Sequence, residues 1–192
     1  MGVMRIAVIG TGNIGGTLGE RWRAAGHDVT YGSRSAGNEG PGGAPVVPVA
    51  DAVAAADVVL LAVPGGAAAD IIRANGAALA GKVVIDAANR MGQPEVHSHS
   101  AVAADAPGAH YARAFNTLGW ENFADPLPGS QLFFAADPAA RAATEELVSA
   151  VGLEPVFVGD AKAAGTVDGL LPLWFTLMQQ YGNRKLAFRV VR

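Results

Sequence analysis

The chain has 192 residues, one domain's worth with room for a short appendage. Hydrophobic residues make up 51% and charged residues 16%, which excludes extended disorder, and a net charge of −3 gives no electrostatic footprint for nucleic acid or an anionic membrane. Without cysteine there is no disulfide framework, no thiolate nucleophile and no cysteine-held metal. The longest apolar run, Val58 to Val63, stops at Pro64 and is too short to cross a bilayer. Arg5 leads at once into strand-like residues rather than a secretory leader. A cytoplasmic globular protein is expected, with neither nucleic-acid nor membrane partners.

In chain order, Arg5 to Ile9 reads as a buried strand ending at Gly10. Asn13 to Ala25 follows, with Ile14, Leu18 and Trp22 at helical spacing and Gly26 as a stop. Asp28 to Tyr31 is a second strand, and the glycines and prolines of residues 35 to 45 predict a surface loop. Asp51 is expected to cap a short alanine helix before a third strand, Val58 to Val63. Ala67 to Leu79 reads as a helix and Lys82 to Asp86 as a fourth strand, while residues 89 to 109 show no decisive pattern. Further strands are predicted at His110 to Asn116, Gln131 to Ala136 and Glu154 to Val158, with a helix over 138 to 150. Alternating buried strands and helices predict a mostly parallel α/β sheet covered on both faces. The tail is a helix with two apolar faces, one carrying Leu170, Leu173, Trp174, Leu177, Met178 and Tyr181 and the other Leu171 and Phe175. Such a helix suits a lid or a homodimer contact.

Gly10-Thr11-Gly12-Asn13-Ile14-Gly15 carries the chemistry. It fits G-x-G-x-x-G between a strand and a helix. Gly10 suits a tight turn, Gly12 a close approach to a pyrophosphate, and Gly15 close helix–strand packing. The helix N-terminus then offers free N–H groups and partial positive charge to the phosphates. The second strand runs on into Tyr31-Gly32-Ser33-Arg34, without the terminal acid that would bind a ribose 2′-OH. A hydroxyl and a guanidinium suit a 2′-phosphate instead, so NADP is the expected cofactor.

Ligands of open α/β sheets bind beyond the carboxyl ends of the strands. Three other such ends carry Ala62-Val63-Pro64, Asp86-Ala87-Ala88-Asn89 and Ala114-Phe115-Asn116-Thr117. Ala62, Val63, Pro64 and Ala87 would wall the cofactor. Asn116 and Thr117 would orient rings through polar contacts, and Asp86 is equally a turn cap. No Ser–His–acid set and no Tyr-x-x-x-Lys pair is present. His97-Ser98-His99 lacks a further ligand for a metal, and Lys162 reads as a solvated lysine ahead of a proton donor near the last helix, the role a carbonyl or imine reductase would need there or near Asn116.

Taken together, these segments and the tail Leu170-Leu171-Pro172-Leu173 resemble the NADPH-dependent F420 reductases. Ser35 departs from that pattern where a second basic residue would follow Arg34. The resemblance implies a Rossmann-type domain over 1–159 and a helical extension over 160–192. It implies that Gly12 to Ile14 hold the pyrophosphate, Ser33 and Arg34 the 2′-phosphate, and Pro64 and Asn116 the nicotinamide side. It also implies direct hydride transfer between NADP(H) and coenzyme F420 or a flavin. Reduction of a small carbonyl or imine by NADPH, and a non-catalytic NADP-binding redox sensor, are the alternatives.

Overall fold

Arg5–Ile9 forms β1, and its side chains alternate between two apolar layers: Ile6 and Val8 enter one, Ala7 and Ile9 the other. That alternation follows from the two-residue repeat of an extended chain and makes β1 the centre of the molecule. The computed structural model describes residues 2–35, 37 and 39–191. Among them the order is β1, α1 (Asn13–Ala24), β2 (Asp28–Ser33), β3 (Val46–Pro48), α2 (Val49–Ala55), β4 (Val58–Leu61), α3 (Gly65–Asn75) and β5 (Val83–Asp86). There follow α4 (His99–Asp105), β6 (His110–Arg113), α5 (Glu121–Ala124), β7 (Gln131–Ala136), α6 (Pro138–Ala150), β8 (Glu154–Gly159), α7 (Ala164–Asp168) and α8 (Leu170–Tyr181).

The strands make one sheet in the order β3-β2-β1-β4-β5-β6-β7-β8. Neighbours run parallel except β6 and β7. The connection after β6 holds only the four-residue α5, too little for a crossover, so the chain turns back at the carboxyl end of the sheet. Residues 114–130 are thereby kept at that end. Helices α1, α6 and α8 cover one face through Leu18, Trp22, Leu147, Val148 and Trp174. Helices α2, α3, α4 and α7 cover the other through Val53, Ala68, Ile72, Val102 and Ala164. The expected mostly parallel α/β sheet with both faces covered is what forms. No helix among the described residues is long and apolar enough to cross a membrane.

Several local expectations are corrected. The strand predicted over His110 to Asn116 ends at Arg113, because Phe115 adopts φ 62° and cannot continue a ladder. Strand β3 was not foreseen within a stretch punctuated by glycine and proline. Asp51 lies inside the first turn of α2 rather than at its cap, since the helix begins at Val49. Residues 89 to 109 contain α4. On α8, Trp174 shares the buried face with Leu171, while Leu173 and Tyr181 are 48% and 63% exposed.

Candidate functional site

Each glycine of the first turn answers a different demand. Gly10 has φ 112°, and a Cβ there would stand 2.3 Å from the Ala62 carbonyl oxygen. A Cβ on Gly15 would stand 2.1 Å from the Gly10 oxygen, so only glycine lets α1 leave β1 this closely. Gly12 has an ordinary backbone and nothing within 4 Å of a Cβ, so the space above it is empty of protein. Thr11, Gly12 and Asn13 are exposed. Gly12 caps α1 without a side-chain hydrogen bond, and the first turn holds no acid. The positive pole of a 12-residue helix therefore faces an open, backbone-lined cradle, which fits a pyrophosphate.

Ser33 ends β2 half-buried, its Oγ accepting from the Ser35 N–H at 3.1 Å, and Arg34 is exposed beside it. The strand's carboxylate, Asp28, is at its opposite end. Ala62 continues β4, its N–H donating to Ile9 at 2.9 Å, and the half-buried Val63 and exposed Pro64 lead into α3. Ala87 likewise continues β5, donating to the Leu61 carbonyl at 3.1 Å.

The ends of β5 and β6 are joined by a buried polar network that sequence reasoning missed. Arg113 is fully buried and donates from Nε to Asp168 Oδ1 at 2.8 Å. Its Nη1 donates to the carbonyls of Asp86 and Ala88 at 3.1 and 2.6 Å, and its Nη2 to Asn89 Oδ1 at 2.6 Å. Asp86, also fully buried, accepts from Ala88 N, Ser98 N and the Tyr111 hydroxyl at 3.0, 2.7 and 2.9 Å. Asp86 is thus a structural acceptor, the capping half of its two sequence readings. Asn116 donates from Nδ2 to Asp168 Oδ1 at 2.9 Å, and Asn89 donates to the Asn116 carbonyl at 2.9 Å. Asn116 Oδ1 and Asp168 Oδ2 are buried without partners. Burial pushes the Asp168 carboxyl above the usual carboxylate range, against the pull of the Arg113 guanidinium. Burial likewise holds His97 below the ordinary imidazole value, although Glu95 Oε1 lies 3.1 Å from its Nδ1.

Over this network lies a cavity of about 270 Å³. Its floor is Asn13 and Ile14 of α1 with Ala87 and Asn89 after β5; the loop Phe115 to Trp120 forms one side. Leu171, Trp174 and Phe175 of α8 close it, with Arg184 contributing the single ionisable side chain of the described lining. Trp174 and Phe175 meet edge to face at 5.3 Å, giving the wall an aromatic surface. Of the predicted residues, Asn13, Ile14, Ala87, Asn116 and Thr117 converge here, next to the glycine turn. Ser33, Arg34 and the Ala62 to Pro64 segment lie outside this lining, as does the exposed Lys162. A second hollow of about 350 Å³, between Gly2, His27 and Glu146, belongs to the amino ends of the strands.

Arg113 left one legible trace, a charge inside the strand His110-Tyr111-Ala112-Arg113, where burial demands a partner. Asp168, 55 residues away, left none.

Residues 5–90 match the model of the family described as coenzyme F420-dependent NADP oxidoreductase. The resemblance read from the motifs holds. The match covers just under half of the chain and includes the whole glycine turn. A candidate F420-dependent NADP-reductase of Arthrobacter sp. FB24 has a similar structure, with TM-score 0.86 and 26% identity over 98% of this chain and 100% of that one. A hypothetical protein of Sinorhizobium meliloti follows at TM-score 0.73 and 28% identity, over 99% and 96% of the two chains. A reductive aminase of Aspergillus terreus, solved with NADPH and ethyl levulinate, shares the fold at TM-score 0.71 and 21% identity. The chain covers 64% of that longer protein's length.

Proposed function

We propose that the protein transfers hydride directly between NADP(H) and a deazaflavin of the coenzyme F420 type or a flavin. The observation carrying this reading is the chemistry of the cavity lining: amides and a hydroxyl on one side, aromatic and aliphatic side chains on the other, and, among the described residues, no carboxylic acid, histidine, lysine or tyrosine. Arg184 cannot serve as an acid, since a guanidinium does not release its proton. Such walls orient two flat rings and exclude water, which is what ring-to-ring hydride transfer needs of a protein. NADPH supplies the hydride when bound. The chain's own part is to grip the pyrophosphate at Gly12 to Ile14, the 2′-phosphate at Ser33 and Arg34, and the nicotinamide side at Pro64 and Asn116. Mixing the protein with NADPH and, separately, F420, FMN or FAD should oxidise NADPH in at least one case. Oxidation only with a small carbonyl or imine would overturn the reading.

A second reading, imine or carbonyl reduction, has one observation in its favour. Asp168 lies behind Asn116 with an unpartnered oxygen and a raised tendency to hold its proton, as a general acid would. In that case Asp168→Asn would remove one limb of the pH–rate profile.

The outer face of α8, with Leu173 and Tyr181, supports pairing of two copies of this chain. Sedimentation at micromolar concentration is expected to give a dimer, and a stable monomer would count against it.

A further inference from the structure

We propose that Arg113 and Asp168 are positioning residues that set the polarity of the nicotinamide end of the cavity. They do so by turning the Asn116 amide so that its oxygen, not its NH2, is left for the ligand. An asparagine amide offers an acceptor at one corner and donors at the other, and by itself it could present either. Here the choice is forced. Asp168 Oδ1 accepts from Arg113 Nε at 2.8 Å and from Asn116 Nδ2 at 2.9 Å, and the charged Arg113 Nη2 lies 2.8 Å from it. With or without a proton on Asp168 Oδ2, that oxygen can only accept. The NH2 of Asn116 must therefore face Asp168, and Oδ1 points away from it, buried and without a partner in a residue that is 5% exposed and lines the cavity. The guanidinium, which can only donate, fixes Asn89 by the same rule: Oδ1 turns toward Arg113, and Nδ2 holds the Asn116 main chain at 2.9 Å. Phe115, held at φ 62°, delivers Asn116 to this point.

A buried acceptor without a partner disfavours any occupant that cannot donate to it. On the proposed NADP reading, the donor is the carboxamide NH2 of the nicotinamide. The ligand class this end selects is thus a flat ring bearing an N–H donor.

The test is calorimetric binding of NADP⁺ and of its 3-acetylpyridine analogue, in which a methyl group replaces the carboxamide NH2. Wild type should prefer NADP⁺ by about 5- to 150-fold, the penalty of an unsatisfied buried acceptor. Asn116→Ala should bring the ratio near one, because the acceptor is gone. Asp168→Ala should do the same while keeping Asn116: the freed amide turns its oxygen to the Arg113 N–H groups and presents its NH2 to the ligand. Asp168→Asn should restore most of the ratio, because its amide oxygen can still receive both donors. A merely structural role for Asp168 would weaken both ligands alike and leave the ratio intact. A wild-type ratio near one, or a full ratio in Asp168→Ala or Asn116→Ala, would overturn the inference. Should Asp168→Ala fail to fold by circular dichroism, Asn116→Ala and Asp168→Asn still decide it. Failure of wild type to bind NADP⁺ at all would instead bring down the NADP reading, and this inference with it.

Discussion

The two ends of the proposed cofactor site are built by different means. At the phosphate end, residues 10–15 work through backbone: missing Cβ atoms, a left-handed Gly10 and the free N–H groups of α1. At the nicotinamide end the work is done by side chains drawn from four places: Asn89, Arg113, Asn116 and Asp168, roofed by α8. A backbone site needs only glycines at fixed offsets within one turn. A side-chain site needs partners that meet only after the sheet has assembled.

The sharpest way to break the first end is Gly12→Val. Its Cβ would meet no protein atom within 4 Å and its backbone is ordinary, so the fold should survive while the side chain fills the space over the turn. Circular dichroism should be unchanged and NADPH binding lost. Normal binding would mean that the phosphates lie elsewhere.

Arg113→Ala is the matching cut at the second end, and there stability should fail first. Two buried carboxylates, Asp86 and Asp168, would lose their shared cation, a loss of about 3–5 kcal/mol. For a chain of this length the melting temperature should fall by roughly 6–20 °C. A shift within a degree or two of wild type would show that the network is not what joins the strand ends to the C-terminal segment.

Arg34→Ala should act more weakly and only on one ligand. Losing a charge-assisted contact of about 1.5–3 kcal/mol should cut NADP⁺ affinity roughly 10- to 150-fold while leaving NAD⁺ nearly unaffected. Equal wild-type affinity for the two cofactors would remove the 2′-phosphate assignment.

The smallest effect concerns His97. Its folded-state value is depressed by burial, so the unfolded chain binds more protons as pH falls through the ordinary histidine range. Stability should therefore be full above that range and decline below it, by at most about 1.4 kcal/mol per pH unit. Chemical denaturation at pH 7.5 and 5.5 should show this decline reduced in His97→Gln. An unchanged slope would rule out the imidazole as its source.

The contrast between the two ends also governs what was legible in the sequence. Strands β1, β4, β5 and β7 announce themselves through runs such as Arg5 to Ile9, because burial on both faces demands continuous apolar residues. The glycine turn is legible for a similar reason: its steric demands lie within six residues. The end of β6 was misplaced because nothing in Ala114-Phe115-Asn116 signals a left-handed phenylalanine. Strand β3 is three residues long, below what alternation can reveal. The Arg113–Asp168 pair spans 55 residues, and no local pattern encodes a contact of that separation.

That separation has a consequence in time. A chain emerging at about 5–20 residues per second completes the sheet position of Arg113 roughly 3–11 s before Asp168 is made. The glycine turn, its helix and β2 are finished long before either. During synthesis, then, the glycine turn is made while the aromatic roof and its anchoring carboxylate do not yet exist. On the proposed reading, the later-made stretch that carries Asp168 and α8 is what closes the nicotinamide end of the cavity from water.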